Sequence, residues 1–422
     1  MTAFFSARHR LVAVVVVILA IYAWEAHARR QFNPTPASQG DQGAYLAFAR
    51  QMQESGYTAV GERNRMPVFP FLLSLIHRPG VNEEESLARA QAFNVNLSIL
   101  LLLLLFFFFR KVFPPFYAVA LLVSTAFGVF LYRAPLAQCE VLFYCLTFCA
   151  FFLLARMLVT PRWWVASLSG IALGAAYLTK ASILPAIALW SALFAAQTIW
   201  QRPRRLWQRF GLLALVLFVF LVVIFPYIRT SKQLYGQYFF NVNSAFVMWC
   251  DSAEQEWAFF RLYQAHGGLT GIPSDQIPSP ANYWRQHSLA QMAQRLAHGV
   301  WHLSTQHALA LGYYKFLFAL AIAIAILCVR HWRRLLEIIA QQPFAAVFCL
   351  LFPLLYLLLF AWYEAIVSDT RFTLMLFLPV IFSASVLALR LGRDRSFAPL
   401  LAGILISLAL IDIAYNGFRA LP

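Results

Sequence analysis

The sequence predicts an all-α protein, a polytopic bundle of about eleven membrane-spanning helices, and three observations carry that prediction. Hydrophobic residues make up 61% of the 422-residue chain and charged residues only 12%, whereas a soluble domain carries about 25% charge. The apolar residues gather in runs of about 15–20, long enough to cross or nearly cross a bilayer. The short connections between alternate runs hold most of the arginines, the pattern that marks a cytoplasmic side.

The first run, Leu11–Trp24, follows Arg8 and Arg10 and precedes Ala26-His27-Ala28. A signal peptide with an A-x-A cleavage site has the same outline. Tyr22 and Trp24 suit the far interface, however, and the run reads as a retained helix. On either reading the chain then emerges on the outer side.

Residues 25–94 form the first long outer connection. It contains GDQGAYLAFARQM, Gly40 to Met52, in which Tyr45, Phe48 or Ala49, and Met52 recur at helical spacing. Asp41 stands where this helix begins, so an N-cap is its simplest role. Next comes RNRMPVFPFLLSLIHRP, Arg63 to Pro79. Its apolar core is too short to cross and opens on Pro67 and Pro70, as an interfacial or re-entrant helix would. Asn82 followed by Glu83, Glu84 and Glu85 reads as a cap with acids in the first turn of the helix entering the second span.

The further runs are Val95–Phe109, Pro114–Tyr132, Glu140–Ala155, Trp164–Thr179, Ala181–Trp200, Phe210–Tyr227, Leu309–Cys328, Pro343–Ala361, Phe372–Leu389 and Ala398–Tyr415. Residues 228–308 form a second large outer loop, rich in aromatics. Asp251 to His266, closed by Gly267-Gly268, reads as one helix. Ser279-Pro280 opens another with a Leu289, Met292, Leu296, Leu303 stripe. Both suit helices lying on the outer leaflet. Repeats are absent, and the whole of 1–422 reads as one integral membrane domain.

Basic residues fall at Arg8 and Arg10, at Arg110 and Lys111, and at Arg156 and Arg162. They fall again at Arg202, Arg204, Arg205 and Arg209, at Arg330, Arg333 and Arg334, and at Arg390, Arg393 and Arg395. All of these share one side; of the carboxylates only Glu337 and Asp394 do. The net charge of +16 is therefore mainly a topology signal and not a nucleic-acid signal. The chain is expected in a bacterial inner (plasma) membrane with a cytoplasmic N-terminus and its long loops periplasmic or extracellular. The six cysteines, at 139, 145, 149, 250, 328 and 349, mostly lie in apolar runs and lack zinc-site spacing, so buried thiols are expected.

Charges at membrane depth are expensive and tend to mark sites. Four stand on the outer side: Asp41, Glu140 at the head of the fourth span, Lys180 between two apolar runs, and Arg371 at the head of the tenth. Each has an ordinary reading: a cap for Asp41 and Glu140, snorkelling for Lys180, an ion pair with Asp369 for Arg371. Together they supply cations to hold an anion and carboxylates to take a proton, the inventory for chemistry on a lipid-borne phosphate. Arg63, Arg65 and Arg78 offer further phosphate contacts.

Five motifs, in order, resemble those of the GT-C superfamily of integral membrane glycosyltransferases. The branch they most resemble contains the lipid A aminoarabinose transferases and the bacterial relatives of protein O-mannosyltransferases. They are GDQGAYLAFARQM, RMPVFPFLLSL, RAPLAQCEVLFY, GAAYLTKASILP and TRFTLMLFLPV. The resemblance places Asp41 at the family's catalytic aspartate, Glu140 at its second acidic motif, Lys180 at its lysine motif and Arg371 at its late arginine motif. Val68, Phe69 and Ala181 depart from the usual Gly, Tyr and Gly. The resemblance implies inverting transfer of a sugar from a polyprenyl-phosphate carrier to a lipid, glycan or protein acceptor at the outer face. Asp41 would be the base, Lys180 and Arg371 the phosphate clamp, with Arg63 and Arg65 as lesser contacts. Glu140 would be catalytic, would orient the acceptor or fix the first loop, or would hold a divalent cation, Mg or Mn, since metal dependence varies within the superfamily. Tyr45, Tyr283 and Trp284 are candidate acceptor or sugar contacts. Two other readings are a lipid-linked sugar translocator, which would show repeated halves and midplane charges, and a surface polysaccharide polymerase or ligase.

Overall fold

The computed structural model describes residues 7–31, 36–37, 39–59, 61, 63–201, 206–266, 268–307, 314–392 and 397–419. Arg202, Arg204, Arg205, Gly267, Arg393, Asp394, Arg395 and the first residues of the eighth expected span lie outside them. Among the described residues the protein is a helical bundle without strands.

The first part of the chain runs α1 (Ala7–Arg30), α2 (Gly40–Glu54), α3 (Val68–Ser74), α4 (Glu83–Val112), α5 (Pro115–Gly128), α6 (Glu140–Val159) and α7 (Trp163–Thr179). Then come α8 (Leu184–Gln201), α9 (Leu206–Tyr235), α10 (Val242–Ala245), α11 (Ala253–Ala265), α12 (Pro280–Gln286) and α13 (Leu289–His302). The chain ends with α14 (Tyr314–Arg330), α15 (Trp332–Gln341), α16 (Pro343–Tyr363), α17 (Arg371–Leu374), α18 (Phe377–Leu391) and α19 (Phe397–Arg419).

Helix falls at all eleven expected spans, but fewer meet the length of a membrane crossing. Among the described residues eight helices are long and apolar enough to cross, or nine if α14 and α15, bent by 101°, are one broken span. Helix α7 stops short at Lys180, and the described apolar part of the last helix, Phe397–Ile411, is also short. The protein is thus a polytopic transmembrane helical bundle, with eight or nine full-length spans among the described residues.

Helix α5 is the axis. Its residues from Tyr117 to Gly128 are all buried, as expected of a helix apolar on every side. It packs against α1, α4 and α19. Two small residues let α7 lie close along α9: a Cβ on Gly170 would stand 2.7 Å from the Val216 carbonyl oxygen, and one on Gly174 2.5 Å from a Val223 methyl. Small residues at membrane helix interfaces serve this close approach. Some polar side chains inside the bundle pair with each other, as Tyr22 with Ser98 at 2.7 Å and Tyr117 with Ser385 at 3.0 Å, and others bond to backbone carbonyls, as Trp190 Nε1 to Leu154 at 3.0 Å.

The connection 25–94 folds onto the end of the bundle. Tyr45 and Ala49 of α2 meet Phe69 and Leu73 of α3 and Leu87 and Ala90 of α4. Asn82 caps α4, its Oδ1 accepting from Glu85 N at 2.7 Å. Ser252 caps α11 as Ser279 caps α12. The single helix expected from Ser279 is two, because the chain extends at His287 and restarts in a capping box of Ser288 and Gln291. Helix α13 does not merely lie on the leaflet; it packs against α16, with Met292 and Gly299 buried.

Candidate active site

Asp41, Glu140, Lys180 and Arg371 come together in one ion-pair network. Asp41 does not cap α2: the N-cap is Gln39, with no side-chain hydrogen bond, and Asp41 lies in the first turn. Its two carboxylate oxygens instead pair separately, Oδ1 with Arg65 Nη2 and Oδ2 with Arg371 Nη1. Arg371 Nη1 also stands 3.8 Å from Glu140 Oε1. That oxygen is in turn 3.3 Å from Lys180 Nζ. Lys180 does not snorkel away from the bundle; its ammonium lies 5.1 Å from the centre of the Phe372 ring and 5.8 Å from that of Phe143.

Local structure places each group. Glu140 opens α6, where an acid suits the helix N-terminus. Lys180 falls on extended backbone between the end of α7 and a 3-10 turn. Arg371 opens the short α17. Asp369 anchors it twice, Oδ1 accepting from the Arg371 backbone N at 2.8 Å and Oδ2 lying 3.1 Å from Nε. Tyr144 of α6 donates its hydroxyl to the Arg371 carbonyl at 2.7 Å.

The turn 133–139 between α5 and α6 is the hub of the site. Arg133 Nη2 donates to Asp369 Oδ1 at 2.9 Å and to Thr370 Oγ1 at 3.0 Å. Asn94, fully buried in α4, donates to the Leu136 carbonyl at 2.6 Å and the Ala134 carbonyl at 3.2 Å. Gln42, beside Asp41, accepts from Ala137 N at 2.8 Å and from Gln91 Nε2 at 3.2 Å. These buried amides fix the helix bearing Asp41 to the turn leading into Glu140. Sequence reasoning did not single out Arg133, Gln42, Gln91 or Asn94. The available signal was three amides and an arginine bordering apolar runs.

Among the described residues the network holds four cations, Arg65, Arg133, Lys180 and Arg371, against three carboxylates, Asp41, Glu140 and Asp369. It thus carries one positive charge in excess. Glu140 is 2% exposed and its Oε2 is buried without a hydrogen-bond partner among the described residues. Burial pushes the carboxyl pKa of Asp41 upward, but Arg65 and Arg371, with a smaller contribution from Lys180, outweigh it and hold the group below the usual carboxylate range.

Other expected site residues are placed elsewhere. Arg63 is a correction: the residue is 1% exposed, and its guanidinium lies 3.8 Å from the centre of the Tyr227 ring and donates to the Tyr227 carbonyl at 3.2 Å. It fastens the first connection to α9. Its backbone is left-handed, with φ 60°, and Arg65 two residues on turns toward Asp41. Tyr45 is buried, with its hydroxyl on Cys139 Sγ at 3.0 Å and its ring edge-on to Phe69. Burial pushes its pKa well above the ordinary tyrosine value, and likewise pushes the Cys139 thiol up to about 12. Tyr283 is also buried, stacked on His287 with ring centres 4.0 Å apart, and accepts from Arg295 Nη1 at 2.9 Å. Trp284 beside it is exposed. Neither contacts the charge network.

The donor set does not fit a divalent ion at Glu140. Among the described residues no three His, Cys, Asp or Glu side chains group to hold a metal. Moreover, Lys180 and Arg371 already flank the Glu140 carboxylate, and two cations there oppose a third.

No known protein family's sequence profile and no curated protein matches the chain. Among solved structures, the chain is similar to ArnT from Cupriavidus metallidurans bound to undecaprenyl phosphate, at 17% identity and a TM-score of 0.42, over 92% of this chain and 78% of that one. It is similar to ArnT from the same organism in the apo state at 18% identity and a TM-score of 0.41, with the same coverage.

Proposed function

We propose that the protein transfers a sugar, with inversion, from a polyprenyl-phosphate carrier to a lipid, glycan or protein hydroxyl at the outer face of the plasma membrane. The observation that carries this reading is the convergence of Arg65, Lys180 and Arg371 with Asp41 and Glu140 in one network of excess positive charge. A phosphate anion suits that excess, and an arginine offers it paired donors. The arginine-rich connections at alternate ends of the spans support the orientation.

In the reaction the acceptor oxygen attacks the anomeric carbon from the side opposite the phosphate. The carbon–oxygen bond to the phosphate breaks, and its electron pair leaves with polyprenyl phosphate. Lys180, Arg65 and Arg371 balance the charge growing on that leaving group. The acceptor proton goes to the Asp41 carboxylate. With both its oxygens held by arginines, Asp41 is a weak base. A donor phosphate that draws Arg65 and Arg371 to itself releases Asp41 and strengthens it, coupling donor binding to base strength.

The test is to supply polyprenyl-phosphate sugars to the purified protein in lipid nanodiscs and measure acceptor-dependent release of polyprenyl phosphate. Asp41→Asn is expected to slow turnover by about 10²–10⁴-fold, the usual contribution of a general base, while binding carrier at least as tightly. Full turnover in that variant would remove the base assignment. Passage of intact donor across a bilayer without cleavage would instead identify a translocator.

A further inference from the structure

We infer that Asn64, Asn243 and Tyr363 form a subsite that recognises the sugar ring of the donor through its hydroxyl groups. The inference rests on the charged network being a phosphate site and deepens that reading.

The three residues come from three separate parts of the chain. Asn243 Nδ2 donates to Asn64 Oδ1 at 3.2 Å, and the Tyr363 hydroxyl donates to Asn243 Oδ1 at 3.3 Å. Both ends of this strip adjoin the charge network. Asn64 directly precedes Arg65, which pairs with Asp41. At the other end, the Tyr363 ring stands edge-on to Phe372, with centres 5.6 Å apart. Phe372 follows Arg371 and lies beneath the Lys180 ammonium. The strip therefore runs along the network from Arg65 to Lys180, where a sugar attached to a clamped phosphate would lie.

Its chemistry suits a pyranose. Sugar hydroxyls both donate and accept, and so do two amides and a phenol. The internal contacts use one Asn243 amide hydrogen and leave Asn64 Nδ2 without a protein partner among the described residues. All three side chains are half-buried, neither sealed in the core nor fully solvated. They are also held firmly. Asn241 caps α10 and donates to the Arg63 carbonyl at 2.9 Å, fixing the backbones on either side of the Asn64–Asn243 contact. Tyr363 packs, as Val242 does, against the buried cluster of Val247, Cys250 and Ile366. Preorganised amides and an anchored aromatic ring are how a site reads polar ligands at small entropic cost.

The test compares two probes in nanodiscs, bare polyprenyl phosphate and polyprenyl phosphate bearing one neutral pyranose (glucosyl, mannosyl or galactosyl). The wild-type protein is expected to prefer at least one glycosylated form. Asn64→Ala, Asn243→Ala and Tyr363→Phe, which keeps the ring packing, should each weaken that form by about tenfold for a lost hydrogen bond or two. Affinity for the bare carrier should not change. A wild type that prefers none of the glycosylated forms, or a preference that survives all three substitutions, overturns the subsite. Equal losses for both probes overturn it too, since they mark a structural role. A wild type that binds neither probe overturns the phosphate reading itself, and the subsite with it.

Discussion

Lys180 Nζ and Glu140 Oε1, 3.3 Å apart, join the end of α7 to the start of α6 by an ion pair whose carboxylate is almost wholly buried. A buried carboxylate of this kind needs its cations, and here it has two, with Arg371 at 3.8 Å. Glu140 therefore orders Lys180 and Arg371 as much as they order it. Lys180→Ala is expected to weaken polyprenyl-phosphate binding by about ten- to hundredfold, for loss of a charge-assisted contact worth about 1.5–3 kcal/mol. The protein should still fold, because Arg371 remains beside Glu140. Lipid titration in nanodiscs measures the first and thermal unfolding the second. Unchanged lipid affinity would remove Lys180 from the clamp.

The pairing of Asp41 with two arginines fixes the sign of a pH dependence. Its carboxyl is held below the usual carboxylate range, so in the free protein it is ionised throughout the neutral range. Its contribution to stability is present above the unfolded-state value and is lost as pH falls through the lower folded-state value. Unfolding midpoints should thus be insensitive to Asp41 above about pH 5 and should drop only in stronger acid. Turnover reports a different state. If the donor phosphate takes the arginines, the carboxyl pKa rises in the complex, and the acid limb of kcat lies at higher pH than that of kcat/KM. Coincident limbs would mean that the arginines stay on Asp41 during the reaction.

The charges were legible in the sequence because they are rare in an apolar chain and stand at the ends of spans. Asp41, Glu140, Lys180 and Arg371 could be picked out on that ground alone, and they do meet. What could not be read was the direction of side chains in irregular backbone. Arg63 and Arg65 are the same residue type two positions apart, yet the left-handed Arg63 sends one to α9 and the other to Asp41. Tyr45 stands in the motif as a site residue would, but it shares a helix face with Ala49 and Met52, and that face is the buried one. Asn94 was hidden at the margin of an apolar run, where a single amide leaves no pattern. The eleven helices were legible from hydropathy, and so was the break at Lys180, since α7 ends at Thr179 as expected; less legible were ends inside polar flanks, where α6 runs on to Val159 and α9 to Tyr235.

The divergence of the two arginines gives a paired prediction. Arg63→Ala removes a buried guanidinium from the Tyr227 ring and carbonyl, and is expected to destabilise the protein by about 1.5–3 kcal/mol. Arg65→Ala removes one partner of Asp41, and is expected to lower affinity for the carrier by about tenfold with little change in stability. Thermal unfolding and lipid titration on both variants separate the effects. Stability loss in Arg65→Ala with none in Arg63→Ala would reverse the assignment.

The contact between α13 and α16 allows a prediction about the second long connection. A Cβ on Gly299 would overlap the backbone carbonyl of Ala361, and backbone cannot move aside as a flexible side chain can. Gly299→Ala must therefore shift α13 away from α16, at a cost of about 1–3 kcal/mol for overpacking. The shift should spread to the site, because α16 ends at Tyr363 and the chain from there reaches Asp369 and Arg371 within eight residues. Trp362 feels it first: Arg295 of α13 donates to its carbonyl at 3.1 Å, and its indole Nε1 donates to the Met248 carbonyl at 2.9 Å. The expected outcome is a lower unfolding temperature together with faster proteolysis within 228–308, while Gly211→Ala, where a Cβ meets nothing within 4 Å, changes neither. Wild-type stability and protease resistance in Gly299→Ala would mean that the two helices are not held in this close packing.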